Sequence, residues 1–295
     1  MYDERKFAHA KELMDYLSPL HETRWNRHRI FRGHGSEWFN LCPSAFRKSP
    51  SFQNDQLSEA DISRHVHFEL ALLNSFLLGC GASGIPVPND TSALRAKLNG
   101  RKLDVALFNE VDDWPSADAF PLLATAQHHG VPTCLLDWTK RSYVAAYFAA
   151  SQALRELEWD DLNKPEKKPT KLVVWSLSTI HNRKWKLVKY IEAQGFVSVN
   201  RAAQDGVFTA TSLEAIKQRG FKGSHLENIE EMYRLSPKGI PLLGRYSLPV
   251  SESAHLLELC AVFGVKGSTL FPGYEGVARE VEDMRLAERY RPYGK

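Results

Sequence analysis

Two short segments hold most of the side chains with chemistry to offer. The first is Phe31-Arg32-Gly33-His34-Gly35-Ser36, followed by Leu41-Cys42-Pro43-Ser44-Ala45-Phe46-Arg47. The second is Ala126-Gln127-His128-His129-Gly130-Val131-Pro132-Thr133-Cys134-Leu135-Leu136-Asp137-Trp138-Thr139. A guanidinium such as that of Arg32 or Arg47 is planar and can meet two phosphate oxygens at once; equally, it can pair with a carboxylate and brace a turn. Asp137 is a carboxylate suited to charge stabilisation or proton acceptance, or simply to the start of a helix. His128 and His129 either do acid–base work or close a helix, where a partly cationic imidazole meets the dipole favourably. A metal site on these two is not supported, because adjacent helical residues point in different directions and neither histidine belongs to an HxxxH or HxxE pair. The four cysteines, Cys42, Cys80, Cys134 and Cys260, contain no CxxC pair and read as reduced, buried small hydrophobes.

The elements that must position these residues follow from periodicity. Phe7, Ala10, Leu13, Met14 and Leu17 describe an amphipathic helix ending near Pro19. Residues 29–33 suit a strand entering a tight turn. A helix is expected over 58–78 with Gly79 and Gly81 as its stops, and another around 93–108. Leu122 to Gln127 reads as a helix closed by Gly130 and Pro132, 135–139 as a short extended piece, and 142–157 as a helix capped by Thr139. Later come strands at 172–177, 196–200, 207–209 and 246–250, then a helix over 251–263 ending at Gly264. Glu275 reads as a helix-start carboxylate. Helices early and strands late argue for an α+β fold rather than βαβ alternation, and no GxGxxG or GxxxxGK[ST] supports Rossmann or P-loop chemistry.

At about 100–200 residues per domain, a chain of 295 residues makes one large domain or two ordinary ones. With 43% apolar and 25% charged residues, the composition is that of a globular protein. A net charge of +3 is too small to announce a nucleic-acid binder by itself. The charged N-terminus offers no export signal, and the apolar run from Leu70 to Cys80 is too short to span a bilayer, so the sequence predicts a soluble cytoplasmic protein with no membrane partner.

Together the two segments resemble the FRG domain family, which carries an (F/Y)RG motif and a block of the form Q-H-[HY]-G-x-P-T-R-L-L-D-W-T followed by an A-x-Y-F-A helix. Ala145-Ala146-Tyr147-Phe148-Ala149 matches that helix. Asn200-Arg201-Ala202-Ala203-Gln204-Asp205-Gly206-Val207-Phe208 resembles the family's N-x-R-x-x-x-Q-x-G-x-F pattern in loosened form, and Thr269-Leu270-Phe271-Pro272-Gly273-Tyr274-Glu275-Gly276 its C-terminal L-F-P-D segment. The likeness runs over roughly 25–285, with Cys134, His34 and Gly273 where the family expects Arg, Gln and Asp. It implies one domain over 1–295, with 50–120 as a mainly helical or irregular insertion.

More distantly, the order of blocks resembles ADP-ribosyltransferases, the DNA-modifying DarT group in particular. That resemblance implies a central mixed or antiparallel sheet, helical N-terminal and inserted segments, and NAD as substrate. It also assigns Arg32, Asp137 and Gln204 to catalysis: Arg32 to the pyrophosphate, Asp137 as the site's carboxylate, and Gln204 to ribose hydroxyls. An amide at 204 can hydrogen-bond but supplies neither anionic stabilisation nor a base. Phe31, Gly33, His34, Arg47, His129, Trp138, Thr139, Tyr147 and Arg201 complete the implied NAD-contacting set. Gly33 and Gly35 would let backbone approach the ligand, and Trp138 or Tyr147 would give nicotinamide a stacking face. Glu275 is a reserve carboxylate.

Three functions compete. The first is an NAD-dependent ADP-ribosyltransferase or NAD glycohydrolase acting as an intracellular toxin or antiphage effector, its acceptor a nucleic acid or a protein. The second is a non-catalytic FRG module that binds nucleic acid or protein and signals to a defence-system partner. Hydrolase or nuclease chemistry on His128, His129 and Asp137 is a distant third.

Overall fold

The computed structural model describes residues 2–21, 28–47, 62–98, 114–164, 166–180, 182–192, 199–212, 225–229, 232 and 241–291. Seven strands form one open sheet: β1 (Asp3–Lys6), β2 (Arg29–His34), β3 (Leu135–Thr139), β4 (Lys171–Ser178), β5 (Val188–Ile191), β6 (Gly206–Thr211) and β7 (Leu243–Pro249), in the order β1-β7-β4-β2-β3-β6-β5. Among the described residues, only the edge pair β1/β7 is parallel; the other pairs are antiparallel. The described helices are α1 (Ala10–Leu17), α2 (Ile62–Ala82), α3 (Ser92–Leu98), α4 (Phe120–His128), α5 (Ser142–Asn163), α6 (Val199–Gln204), α7 (Ser253–Val262), α8 (Gly267–Leu270) and α9 (Tyr274–Arg289). The fold is therefore α+β on one mixed sheet, as the sequence predicts.

Strand alternation sorts the core. On β4, Leu172 and Val174 join the side chains of α1, α5, α7 and α9, whereas Val173, Trp175 and Leu177 pack on the opposite face with Ile30, Leu136, Trp138 and Val207. Directly opposite residues share a face, so the pairs Phe31/Thr139 and Asp137/Phe208 put Phe31, Thr139, Asp137, Leu135 and Phe208 on the side that carries α5. Over β3, β5 and β6 that same side is covered by α2, α3 and α4, which pack on Leu135, Ile191, Phe208 and Ala210. The helical cover is thus in two parts, with a gap above the middle of the sheet.

That gap coincides with a split between strands. Strand β2 pairs with β4 over six residues, and β3 with β6 over five, but β2 and β3 meet only at Phe31 and Thr139. Beyond that pair the two strands diverge. On the β2 side, Gly33 lies under α5 so closely that a Cβ would stand 2.0 Å from the Ala145 carbonyl oxygen and 2.6 Å from the Ala149 nitrogen. Gly35 meets the same helix, 2.5 Å from the Ala153 nitrogen. Both glycines are therefore used for helix-on-strand contact, and Gly33 also borders the central cavity described below.

Several boundaries shift for identifiable reasons. Helix α2 runs through Gly79 and Gly81 to Ala82 and is closed by Gly84 at φ 67°, with the Ile85 N–H donating to the Cys80 carbonyl. An interior glycine costs a helix only about 1 kcal/mol, so the two nearer glycines do not stop it. Helix α5 continues to Asn163 and closes on Lys164 at φ 47°. Of the strand expected over 196–200, residues 196–198 lie outside the described residues, and Val199 and Asn200 begin α6. Residues 58–61 and 99–108 of the two expected early helices, like much of the 50–120 insertion, also lie outside the described residues.

Candidate functional site

Arg32 spans the split. From β2 its Nη1 donates to the backbone carbonyl of Asp137 at 2.7 Å and stands 3.8 Å from the Asp137 carboxylate, while its Nε donates to His34 Nε2 at 2.8 Å. A guanidinium has no acceptor, so His34 Nε2 must carry a lone pair and the ring's proton sits on Nδ1, which donates to the Phe39 carbonyl at 3.2 Å. Burial pushes the His34 pKa well below its ordinary value, and the charges of Arg32 and Arg47 reinforce that. Burial also brings Arg32 down to about 10, against the opposing pull of Asp137, which leaves the guanidinium cationic at neutral pH. Arg32 and a neutral His34 form a fixed donor unit.

Asp137 is presented by β3 alternation toward the gap. Its carboxylate accepts from Gln127 Nε2 at 2.6 Å, and Gln127 Oε1 accepts from the Thr133 hydroxyl. Gln127 lies near the C-terminal end of α4, so the short link from α4 to β3 holds the carboxylate by its own side chains. Thr139, at the other end of β3, donates its hydroxyl to the Gln204 carbonyl at 2.6 Å and accepts from the Arg141 N–H, satisfying the last turn of α6. The Gln204 side chain donates to the Leu270 carbonyl at 3.0 Å. Its amide nitrogen is committed to the α8 segment, which leaves Oε1 as its acceptor.

These residues line one cleft. A central cavity of 510 Å³ is bordered by Phe31, Arg32, Gly33, Asp137, Thr139 and Gln204, with Phe148, Phe271, Arg155 and Arg279 on the facing wall. A 260 Å³ chamber on one side shares Asp137 and Gln204 with it and adds Arg201 and Phe208; a 470 Å³ chamber on the other shares Arg32 and Gln152 and adds His34, Trp38, Phe39 and Arg47. Arg201 stacks on Phe208 with its guanidinium carbon 3.6 Å from the ring centroid, and burial lowers its pKa to about 10. Arg155 is held by Asp283 at 2.8 Å and Glu282 at 2.9 Å. Arg279 lies 4.1 Å over Phe271, with Glu275 4.0 Å away. The central cavity is therefore bordered by three guanidinium groups, Arg32, Arg155 and Arg279, each with a carboxylate partner within 4.0 Å.

Not every expected residue reaches the cleft. Trp138 borders it, but alternation sends the indole to the opposite face, where it is buried and donates to Thr209 at 2.9 Å. Tyr147 is buried under α9, its hydroxyl on Asp283 at 2.5 Å, and lines a different cavity. Neither ring offers a stacking face here. Phe148 and Phe271, packed edge-on at 6.1 Å, provide the aromatic wall instead. His129 is exposed and stacks on Phe76, leaving His128 as the imidazole on the cleft's rim. Glu275 is on the surface in the first turn of α9.

Phe148, Gln127 and Phe271 lay within segments already singled out, without roles. Arg155 and Arg279 carried no local signal, since each is one arginine among many on a helix surface. Among the described residues, no group of three or more His, Cys, Asp or Glu side chains is arranged to hold a metal ion, and no helix is long and apolar enough to cross a membrane.

The FRG domain family model covers residues 27–158. That span runs from before β2 into α5 and includes Arg32 and Asp137, but not Gln204, Phe271 or Arg279. No curated protein and no solved structure matches the chain.

Proposed function

Residues 27–158 are an FRG domain match, and we propose that the cleft this segment builds with α6, α8 and α9 binds NAD and cleaves its nicotinamide bond, making the protein an ADP-ribosyltransferase-like enzyme. The observation that carries the proposal is the convergence of Arg32, Asp137 and Gln204, from three separated segments, on one cavity at a strand split. Arg32, pre-set by His34, would take the pyrophosphate. Phe148 and Phe271 would face the nicotinamide ring, and Gln204 Oε1 would accept from a ribose hydroxyl.

In the reaction the bond from ribose C1′ to the nicotinamide nitrogen breaks, and its electron pair leaves with nicotinamide, which departs neutral. The positive charge developing on the ribosyl ring would be stabilised by the Asp137 carboxylate, whose side chain is 61% exposed in the absence of a ligand. An acceptor lone pair then bonds to C1′, and the acceptor's proton passes to Asp137 and on to solvent. With water as acceptor the outcome is NAD hydrolysis. A toxin or antiphage-effector role would follow from such chemistry, through loss of NAD or modification of an essential acceptor.

A second reading is favoured by Gln204: with an amide in place of a glutamate, and that amide tied to Leu270, the cleft would recognise a nucleotide without cleaving it and signal to a partner. One experiment separates the two. Purified protein is incubated with NAD while free nicotinamide is measured, and Asp137→Asn is compared with wild type. Nicotinamide release that drops by about 100-fold or more in Asp137→Asn supports the enzyme. NAD or ADP-ribose binding by calorimetry with no release supports the module, and neither binding nor release rejects both.

A further inference from the structure

Helix α9 has a buried face and, separately, an apolar face in solvent. Gly276, Asp283, Leu286 and Ala287 are buried against the rest of the molecule. Tyr274, Val277, Val281 and Met284 are 96%, 53%, 57% and 59% exposed. At about 100° per residue these four fall on one stripe, and their alternating three- and four-residue spacing is that of a coiled-coil seam. We propose that this stripe pairs with the same stripe of a second copy of the chain, the two α9 helices running antiparallel about a two-fold axis level with residue 279.

Register, shape and charge each point to a copy of this chain as the occupant. Two-fold pairing about residue 279 sets Val277 against Val281 and Tyr274 against Met284, and the reverse by symmetry. Every apolar residue of the stripe then meets an apolar residue of the other copy, as an isologous contact requires. The Tyr274–Met284 layers add a favourable contact between sulfur and an aromatic ring. Between α7 and α9 lies a cavity of 310 Å³ whose walls include Leu257, Ala261, Met284 and Ala287. Long side chains on a helix lean toward its N-terminus, so in the antiparallel pair the Tyr274 ring of one copy is carried past Met284 toward Ala287 of the other, over this cavity. Tyr274 is the most exposed of the large apolar residues described, and the second copy offers it an apolar hole.

A surface that meets its own copy must not carry an excess of one sign beside the axis. Glu280 is paired with Lys266 at 2.8 Å and Arg285 with Glu158 at 2.8 Å, so the groups flanking the stripe arrive neutralised. Glu288 continues the stripe one turn beyond Met284, which in the pair brings its carboxylate to the first turn of the other α9. That end is capped by Gly273 with no side-chain hydrogen bond, and the helix dipole favours a carboxylate there. Arg279 lies on the far side of α9 from the stripe, and Asp283 of the same helix holds Arg155 at 2.8 Å; both arginines line the central cavity. The second copy therefore braces the helix that positions two wall residues of the cleft. The pairing itself does not depend on what the cleft binds.

Sedimentation of the full chain over a range of concentrations is expected to show a monomer–dimer equilibrium. Val281→Glu should raise the dissociation constant about 100-fold or more, because two like charges would be buried near the axis, and Tyr274→Ala about tenfold or more. Both residues are exposed, so each variant should keep the circular dichroism of wild type. Disulfide trapping reads the register. Under a mild thiol oxidant, Val277→Cys chains mixed with Val281→Cys chains should link to one another in preference to themselves. Wild type, whose Cys80 is its one cysteine that is not buried, is the control. A wild type that stays monomeric at about 200 µM, where a pair with a dissociation constant of about 100 µM would be mostly dimer, overturns the proposal and leaves the stripe to another partner. A dimer that Val281→Glu leaves intact overturns it by placing the interface elsewhere. Val281→Cys chains that link to themselves as readily as to Val277→Cys chains overturn the antiparallel register.

Discussion

At the scale of single residues, His34 has the best-defined state in the site, since its Nε2 must accept from Arg32 and its Nδ1 must donate to Phe39. Protonation would set two cations against each other inside the protein. Because its pKa is depressed on folding, the unfolded chain binds a proton below about pH 6.5 that the folded chain refuses, and stability falls as pH falls through that range. The slope for one such group reaches about 1.4 kcal/mol per pH unit. Burial of Glu69, and of Glu156 at about 7, acts in the opposite sense, because those carboxyl groups hold protons longer when folded. The His34 contribution is therefore read as a difference. Urea unfolding of wild type and His34→Gln at pH 7.5, 6.0 and 5.0 should show the wild type losing stability relative to the variant as pH drops; a constant difference would show that His34 is not held neutral.

At the scale of elements, the site depends on how closely α5 sits on β2. The atoms nearest to a Cβ at Gly33 are helix backbone, which cannot rotate away as a side chain can. Gly33→Ala should therefore cost about 2–3 kcal/mol or more. A lower urea midpoint with an unchanged m-value would show this, and a midpoint equal to wild type would mean that the helix can shift to accommodate the methyl group. Much of this scale was legible in the sequence. Strand β3 fell on the expected residues, β2, β4 and α7 within two residues of each boundary, and α1 began three residues after the expected Phe7. Strand β1 was not legible: its sequence Asp-Glu-Arg-Lys has no apolar alternation, because it is an exposed edge held by backbone pairing to β7. Trp138 and Tyr147 were misplaced for the complementary reason, since motif membership says nothing about which face of an element a side chain takes. Strand period sends Trp138 away from Asp137, and Tyr147 turns toward α9 while its neighbour Phe148 turns to the cleft.

At the scale of the whole molecule, a net charge of +3 conceals a concentration of arginine in one place. Arg32, Arg155 and Arg279 come from β2, α5 and α9, far apart in sequence, and only the folded sheet with its split brings them around one cavity. The sequence blocks told which segments belong together, but not the two helical arginines, whose positions depend on how α9 packs against α5. The cavity's walls also belong to different helical packs, one on the β2 side and one on the β3 side, so a ligand spanning them ties both to the native state. A ligand that binds only the folded chain stabilises it by about 2.7 kcal/mol when present at 100 times its dissociation constant. ADP-ribose should therefore raise the unfolding transition of wild type in proportion to the logarithm of its concentration, with a smaller shift at high salt because the contacts are charged. Arg32→Ala should abolish most of that shift if, as proposed, the guanidinium that reaches both His34 and the Asp137 carbonyl takes the pyrophosphate. A wild-type transition that millimolar ADP-ribose leaves unmoved would mean that the arginines serve only their protein partners, and the nucleotide reading of the cleft would be lost.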